Sequence, residues 1–113
     1  MNVEVYPNTY NVQVYSNASF VPSALPMLVI DADLTASVNK AYVVDTSALA
    51  VSVTLPAQAN LGDTIELLAI GASALTVDRN GHKINGADLG LTLNNLEAAR
   101  LRYANATLGW VQF

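Results

Sequence analysis

Apolar and polar residues alternate with a period of two along most of this chain. The clearest run places Leu49, Val51, Val53 and Leu55 at alternate positions, with alanine, serine and threonine between them. This spacing predicts a strand with one buried face, because successive side chains of a strand point to opposite faces. Similar runs recur about every ten residues over the second half of the chain, whereas no run with the helical period of 3.6 extends beyond one turn.

Turn signals separate these runs. Asn80-Gly81 and Asn85-Gly86 supply the positive φ angles that two-residue hairpin loops need, and Pro56 ends the run before it. Short strands joined by tight turns are typical of antiparallel sheets. The pattern therefore predicts an all-β fold, a short-stranded antiparallel sandwich or barrel-like module over residues 40–113.

Residues 1–39 have a different pattern and are interpreted as an N-terminal arm. Two short alternating runs flank Pro7, two prolines interrupt residues 16–26, and residues 27–30 form one more candidate strand. The arm has too little mass for a core of its own, so we expect it to dock on another surface. Tyrosine suits such interfaces, and four of the eight aromatic residues lie in the first 20 positions. The candidate interface residues are the arm's apolar and aromatic side chains: Val3, Val5, Tyr6, Tyr10, Val12, Val14, Tyr15 and Phe20.

Composition sharpens this picture. Of the 113 residues, 52% are hydrophobic and 12% are charged, about half the charged fraction of an ordinary soluble domain. So apolar a chain is expected to hide part of its surface against copies of itself or against a partner. Disorder is excluded by the apolar content. The net charge of −4 has the wrong sign for phosphate, so no nucleic-acid partner is expected.

The first residues carry neither a basic segment nor an apolar segment of the kind that marks a secretory signal. No apolar run approaches the length of a membrane span, about 20 residues. We therefore expect no membrane partner, and we expect synthesis in the cytoplasm without a signal peptide.

Candidate chemistry is sparse. The chain has no cysteine and one histidine, which cannot build a typical zinc site. His82 lies beside a turn and is interpreted as solvated rather than as a base. Asp31 and Asp33 lack the spacing of a calcium loop, and Asp63 and Glu66 are interpreted as solvated charges rather than a glycosidase pair. We expect no catalytic residues, no metal site and no cofactor.

Two further features leave alternatives open. Four of the five basic residues follow residue 78; they either complement an acidic partner or, as with Arg100 and Arg102, solubilise the outer face of one strand. Trp110 either closes the core of the module or serves as a stacking platform for a sugar. In the second case Arg79 and His82 are the other candidate contacts for a glycan or another surface.

Several segments together resemble a small β module of tailed-bacteriophage virion structural proteins, including tail-fibre-like and capsid-surface proteins of marine and cyanobacterial phages. The stretches TLPA, GDTI, RNGHKINGA and YANATLGW carry the resemblance, in that order, within residues 40–113. The resemblance implies a β-rich, non-enzymatic particle component that is commonly a homotrimer. It assigns no catalytic residue, and it does not extend to residues 1–39.

The resulting expectation is a homotrimer on the virion surface, made in the host bacterial cytoplasm. It would be a capsid decoration or cement protein, or a short appendage component, that docks on other virion structural proteins through its arm. The alternative is a receptor-binding tail- or head-fibre adhesin that recognises host surface glycans.

Overall fold

The computed structural model describes residues 25–113, which form nine strands and no helix. The predicted arm residues 1–24 lie outside this range. The strands are β1 (Met27–Ile30), β2 (Leu34–Thr35), β3 (Lys40–Asp45), β4 (Val51–Thr54), β5 (Thr64–Ile70), β6 (Leu75–Asp78), β7 (Leu91–Leu93), β8 (Ala98–Asn105) and β9 (Gly109–Gln112). The all-β prediction is confirmed, as is the strand predicted for residues 27–30.

The strands form two sheets, a five-stranded sheet in the order β1-β3-β5-β8-β9 and a four-stranded sheet in the order β2-β4-β6-β7. The chain crosses from one sheet to the other after each strand from β1 to β5, so that three successive coils each add one strand to both sheets. The last three strands pair antiparallel, β7 with β6, β8 with β5 and β9 with β8.

This winding departs from the expected antiparallel pairing. Four strand pairs are parallel, namely β1–β3, β2–β4, β3–β5 and β4–β6, and only the three pairs made by β7, β8 and β9 are antiparallel. The physical reason lies in the connections. A short loop can return the chain as a hairpin or carry it across to the opposite sheet. In both cases apolar and polar residues alternate along the strands, so the alternation does not show the direction of pairing.

The core lies between the two sheets and follows the predicted alternation. In β4, β5, β6 and β8 every second side chain is buried, and the largest fully buried side chain is that of Trp110. Fully burying one such aliphatic or aromatic side chain stabilises the fold by about 1.5–3 kcal/mol. Leu49, which the alternation places inside, is instead 56% exposed, because it precedes β4 rather than lying within it.

Both predicted asparagine-glycine turns are present. Asn80 and Gly81 have φ angles of 51° and 84°, and Asn85 and Gly86 have φ angles of 52° and 77°. These are the two successive positive φ angles of a type I′ turn. The turns flank Ile84, which is buried in the core and bridges to Trp110, so residues 79–88 form a double loop beside β9.

The boundary predicted at residue 40 lies within the sheets. β1 pairs with β3 and β2 pairs with β4, so residues 27–35 extend both sheets of the module. β1 is thereby the outermost strand of the five-stranded sheet among the described residues.

Candidate functional site

Trp110 is a core residue. Its side chain is fully buried, its ring packs edge-to-face on Tyr103 with 5.5 Å between the centroids, and its backbone N–H donates to the carbonyl of Lys83 at 2.8 Å. The ring therefore presents no face to solvent, and the alternative that placed a sugar against Trp110 is wrong for this fold. The buried indole Nε1 has no hydrogen-bond partner among the described residues.

His82 is held by its surroundings. Its Nε2 lies 2.7 Å from the carbonyl oxygen of Ala57, and its ring packs edge-to-face on Tyr103 at 5.4 Å. A carbonyl oxygen only accepts, so Nε2 carries the proton and donates it. The half-buried ring connects the double loop of residues 79–88 to the chain after β4, and this structural role replaces the interpretation of His82 as a solvated residue.

Arg79 and Lys83 form a small ionic cluster with Asp88 in the same loop. The Asp88 carboxylate lies 3.1 Å from Lys83 Nζ and 3.4 Å from an Arg79 guanidinium nitrogen, which also donates to the His82 carbonyl at 2.9 Å. The hydrogen bond from Lys83, assisted by its charge, lowers the pKa of Asp88 below its ordinary value. The cluster is an exposed polar patch in which the charge of Asp88 offsets part of the basic charge.

Three of the four carboxylates considered for chemistry, Asp33, Asp63 and Glu66, have structural partners. Asp33 accepts a hydrogen bond from the backbone N–H of Ser52 at 2.8 Å, and Asp63 accepts one from the N–H of Asn60 at 2.8 Å. Glu66 lies 3.5 Å from Arg100 in an ion pair across β5 and β8. Within residues 25–113 no three histidine, aspartate or glutamate side chains are grouped to hold a metal ion.

Arg100 and Arg102 lie on the outer face of the five-stranded sheet, as predicted for the polar side of their strand. Their guanidinium groups stack on the ring of Phe113 at 4.4 and 4.1 Å from its centroid. Such cation–π contacts contribute about 0.5–1 kcal/mol each at exposed sites. The basic pair thus shields an aromatic ring at the β9 side of the sheet.

A shallow apolar groove of about 250 Å³ crosses the rest of this outer face. Its lining comes from four neighbouring strands and includes Met27, Ala41, Val43, Leu68 and Ala98, with Glu66 and Arg100 also contributing. Sequence reasoning missed this groove, because it assigned β1 to the arm and could not place β1, β3, β5 and β8 side by side.

The two edges of the five-stranded sheet differ. At the β9 edge, the backbone of residues 83–85 bonds to Trp110 on both sides, and Asn85 Oδ1 accepts from the N–H of Gln112 at 3.0 Å. At the β1 edge no described residue pairs with the strand. Met27 is 67% exposed there and Val29 is 73% exposed. β1 and the groove beside it are the candidate interaction surface of the described region.

The arm residues predicted as the partner interface, from Val3 to Phe20, all lie outside the described residues. They precede β1 in the chain, with residues 21–26 between, so the chain enters the described module through its edge strand. No helix in the described part of the chain is long and apolar enough to cross a membrane.

No protein-family model matches this chain, and no curated protein matches it. One similar solved structure is described as "Structure of a chaperone-substrate complex". It is 16% identical, with a TM-score of 0.46, and the match covers 82% of this chain. The chain spans 14% of the length of that protein.

Proposed function

We propose that this protein is a non-enzymatic structural component of a bacteriophage particle. It forms a homotrimer on the virion surface, as a capsid decoration or cement protein or as a short appendage component, and docks on other virion proteins through its N-terminal arm. The observation that carries the proposal is the exposed apolar β1, which is the point where the arm enters the module.

Two features of the described region support an associating rather than a catalytic protein. The side chains of Asp33, Asp63, Glu66 and His82, all considered for chemistry, are engaged in hydrogen bonds or ion pairs that hold loops and strands. Large apolar side chains such as Met27 and Val29 lie in solvent instead. An apolar surface of this kind is typical of interaction sites.

The proposed mechanism is avidity. Each docked copy adds a modest apolar contact, and a trimer presents three arms to the particle at once. Linked contacts of this kind bind more tightly than any single contact by a factor of about 10²–10⁴. A repeating particle surface then holds many copies without a deep binding pocket on any of them.

The test uses arm variants of equal added charge. Val3→Asp with Val5→Asp places two carboxylates at apolar arm positions, and Asn8→Asp with Asn11→Asp places two at polar positions. We expect the wild-type protein to have three times its 12.0 kDa chain mass by light scattering and to label purified particles of its phage in immunogold electron microscopy. The valine variant should lose at least about tenfold in particle binding, and the asparagine variant should retain it.

Three results would contradict the proposal. A stable monomer at micromolar concentration would contradict the trimer. Absence of label on intact particles would contradict the location on the virion. Equal binding by the valine variant and the wild type removes the arm as the docking element.

The alternative, an adhesin for host surface glycans, is favoured by the exposed polar loop that carries Arg79, Lys83 and Asp88. With Trp110 buried, the two remaining candidate glycan contacts, Arg79 and His82, both lie in this loop. A glycan-array signal that Arg79→Ala abolishes, and that the valine arm variant retains, would favour the adhesin over the docking protein.

A further inference from the structure

The free edge of β1 is equipped to bind another strand. The N–H of Ala41 donates to the carbonyl of Pro26 at 2.9 Å. This bond shows which residues of β1 direct their backbone groups to β3. In a parallel ladder the backbone groups of alternate residues point to opposite sides. Those of Leu28 and Ile30 therefore point to β3, and those of Met27 and Val29 point to the free edge.

Nothing in β1 itself blocks this edge. Proteins usually protect an edge strand with charged side chains, proline, a bulge or a covering loop. The four residues of β1 are methionine, leucine, valine and isoleucine, and no bulge interrupts their pairing with β3. The opposite edge of the same sheet, at β9, is covered by residues 83–85.

The spacing between paired residues of β1 and β3 indicates which segment of the chain would pair with the free edge of β1. Pairing of β1 with β3 follows a shift of 14 residues, since Met27 lies opposite Ala41 and Ile30 opposite Val44. The same shift applied upstream of β1 places Val14 opposite Leu28 and Tyr15 opposite Val29. Residues 10–15 have the period-two alternation of a strand, with Tyr10, Val12 and Val14 on one face.

The side chains match on both faces of the sheet. Leu28 lies opposite the buried Tyr42 and points to the core, yet it remains 43% exposed, so an apolar neighbour such as Val14 would complete its burial. On the outer face Val29 is 73% exposed, and the ring of Tyr15 is large enough to cover it.

The connection has sufficient length. Residues 16–26 provide 11 residues between the two segments, whereas β1 and β3 are joined by the nine residues 31–39. Eleven extended residues span about 36 Å, more than is needed to return beside β1. A flexible connection of this length gives residues 10–15 an effective concentration in the millimolar range at β1. Binding of the chain's own segment is therefore favoured over binding of a separate molecule.

We propose that the free edge of β1 binds residues 10–15 of the same chain as an additional parallel strand. This inference does not depend on the virion function. It divides the arm into an anchored part, residues 10–15, and a part upstream that includes Val3, Val5 and Tyr6 and remains available to a partner.

A disulfide test suits the full chain, which has no cysteine of its own. Val14→Cys with Leu28→Cys places two thiols on directly opposed residues about 4.8 Å apart, within the range of Cα separations that a disulfide allows. Gln13→Cys with Leu28→Cys is the matched control, because its side chains would lie on opposite faces. After mild oxidation we expect the first pair to lose at least about 80% of its free thiol as an internally linked monomer on non-reducing gels. The control pair should keep its thiols.

Each other result overturns the proposal. Covalent multimers from the first pair would mean that a second copy of the chain binds the free edge of β1. Efficient linkage of the control pair would mean that residues 10–15 pair with β1 in a different register. Retention of thiols in both pairs means that residues 10–15 do not lie at β1.

Amide exchange provides a second measurement without a change at β1. The N–H of Val29 points to the free edge, so a bound strand should slow its exchange by about tenfold or more relative to Val12→Asp with Val14→Asp. The N–H of Leu67 in the central β5 serves as the reference and should not differ between the proteins. Equal exchange at Val29 in the wild type and the variant refutes the proposal even where the disulfide pairs fold poorly.

Discussion

Replacing Gly109 by alanine tests how tightly β9 packs against the double loop of residues 79–88. Gly109 has a φ of +71°, and a Cβ built on it would overlap the backbone carbonyl of Lys83. That carbonyl accepts the N–H of Trp110 at 2.8 Å, so it cannot move away without loosening the backbone beside the largest buried side chain. The overlap is with backbone atoms and not with the end of a flexible side chain.

Gly81→Ala is the matched control. Gly81 has a φ of +84°, and its added Cβ would have no heavy atom within 4 Å. Both changes therefore carry the cost of a left-handed conformation, about 1–2 kcal/mol. Gly109→Ala adds overpacking of about 1–3 kcal/mol and weakening of the Trp110 hydrogen bond by about 0.5–1.5 kcal/mol. We expect the free energy of unfolding to fall by about 2–4 kcal/mol more for Gly109→Ala than for Gly81→Ala.

Urea denaturation followed by far-ultraviolet circular dichroism and by the fluorescence of the single tryptophan measures both variants. Failure of Gly109→Ala to yield folded protein while Gly81→Ala folds normally is in line with the expectation. If the two variants differ from each other by less than about 0.5 kcal/mol, a value typical of unremarkable surface changes, the close approach of Gly109 to Lys83 does not hold the fold.

Two further changes test the site residues. Trp110→Ala should lower the free energy of unfolding by about 3–5 kcal/mol. Trp110→Phe should lower it less, because phenylalanine keeps an aromatic ring in the core and removes the buried Nε1 that lacks a partner. Equal losses of stability for the two variants in urea denaturation would contradict this role of Trp110. The lowered pKa of Asp88 means that its bond to Lys83 stabilises the folded state above the ordinary value of 3.8 and that this contribution is lost as pH falls through the lower folded-state pKa. Asp88→Asn should therefore be less stable than the wild type at neutral pH and equal to it at about pH 2, and a stability difference independent of pH would contradict the ion pair.

The features that the sequence predicts correctly depend on neighbours in the chain. The alternation that defines β4, β5 and β8, and the asparagine-glycine pairs at 80–81 and 85–86, act over a few residues and need no knowledge of the rest of the fold. Pairing direction is different. The five residues 46–50 between β3 and β4 have the length of a hairpin loop, yet they carry the chain to the opposite sheet, and no local signal distinguishes the two outcomes.

The candidate site was harder to predict for the same reason. The groove on the outer face joins Met27 to Ala98, residues that are distant in the chain and meet only because β3 and β5 lie between β1 and β8. The two alternatives for Trp110 could be separated only by its position between Tyr103 and the backbone of Lys83. The role of His82 likewise depends on Ala57, 25 residues earlier.

The few charged side chains are distributed unevenly between the two ends of the five-stranded sheet. At the β9 end of the five-stranded sheet, the edge is covered by residues 83–85, the ionic cluster of Asp88 lies in solvent, and two arginines stack on Phe113. At the β1 end, the strand has no charged side chain and no covering element among the described residues, and Glu4 is the only charged side chain in residues 1–26, which lead into it. Association that buries apolar surface therefore stabilises most when it involves the β1 end, because burying the β9 end would first require desolvation of its charges. An assembly of this chain should consequently place the β1 end of the sheet, with the arm segment that contains Val3, Val5 and Tyr6, at its contacts and leave the asparagine-glycine turns exposed.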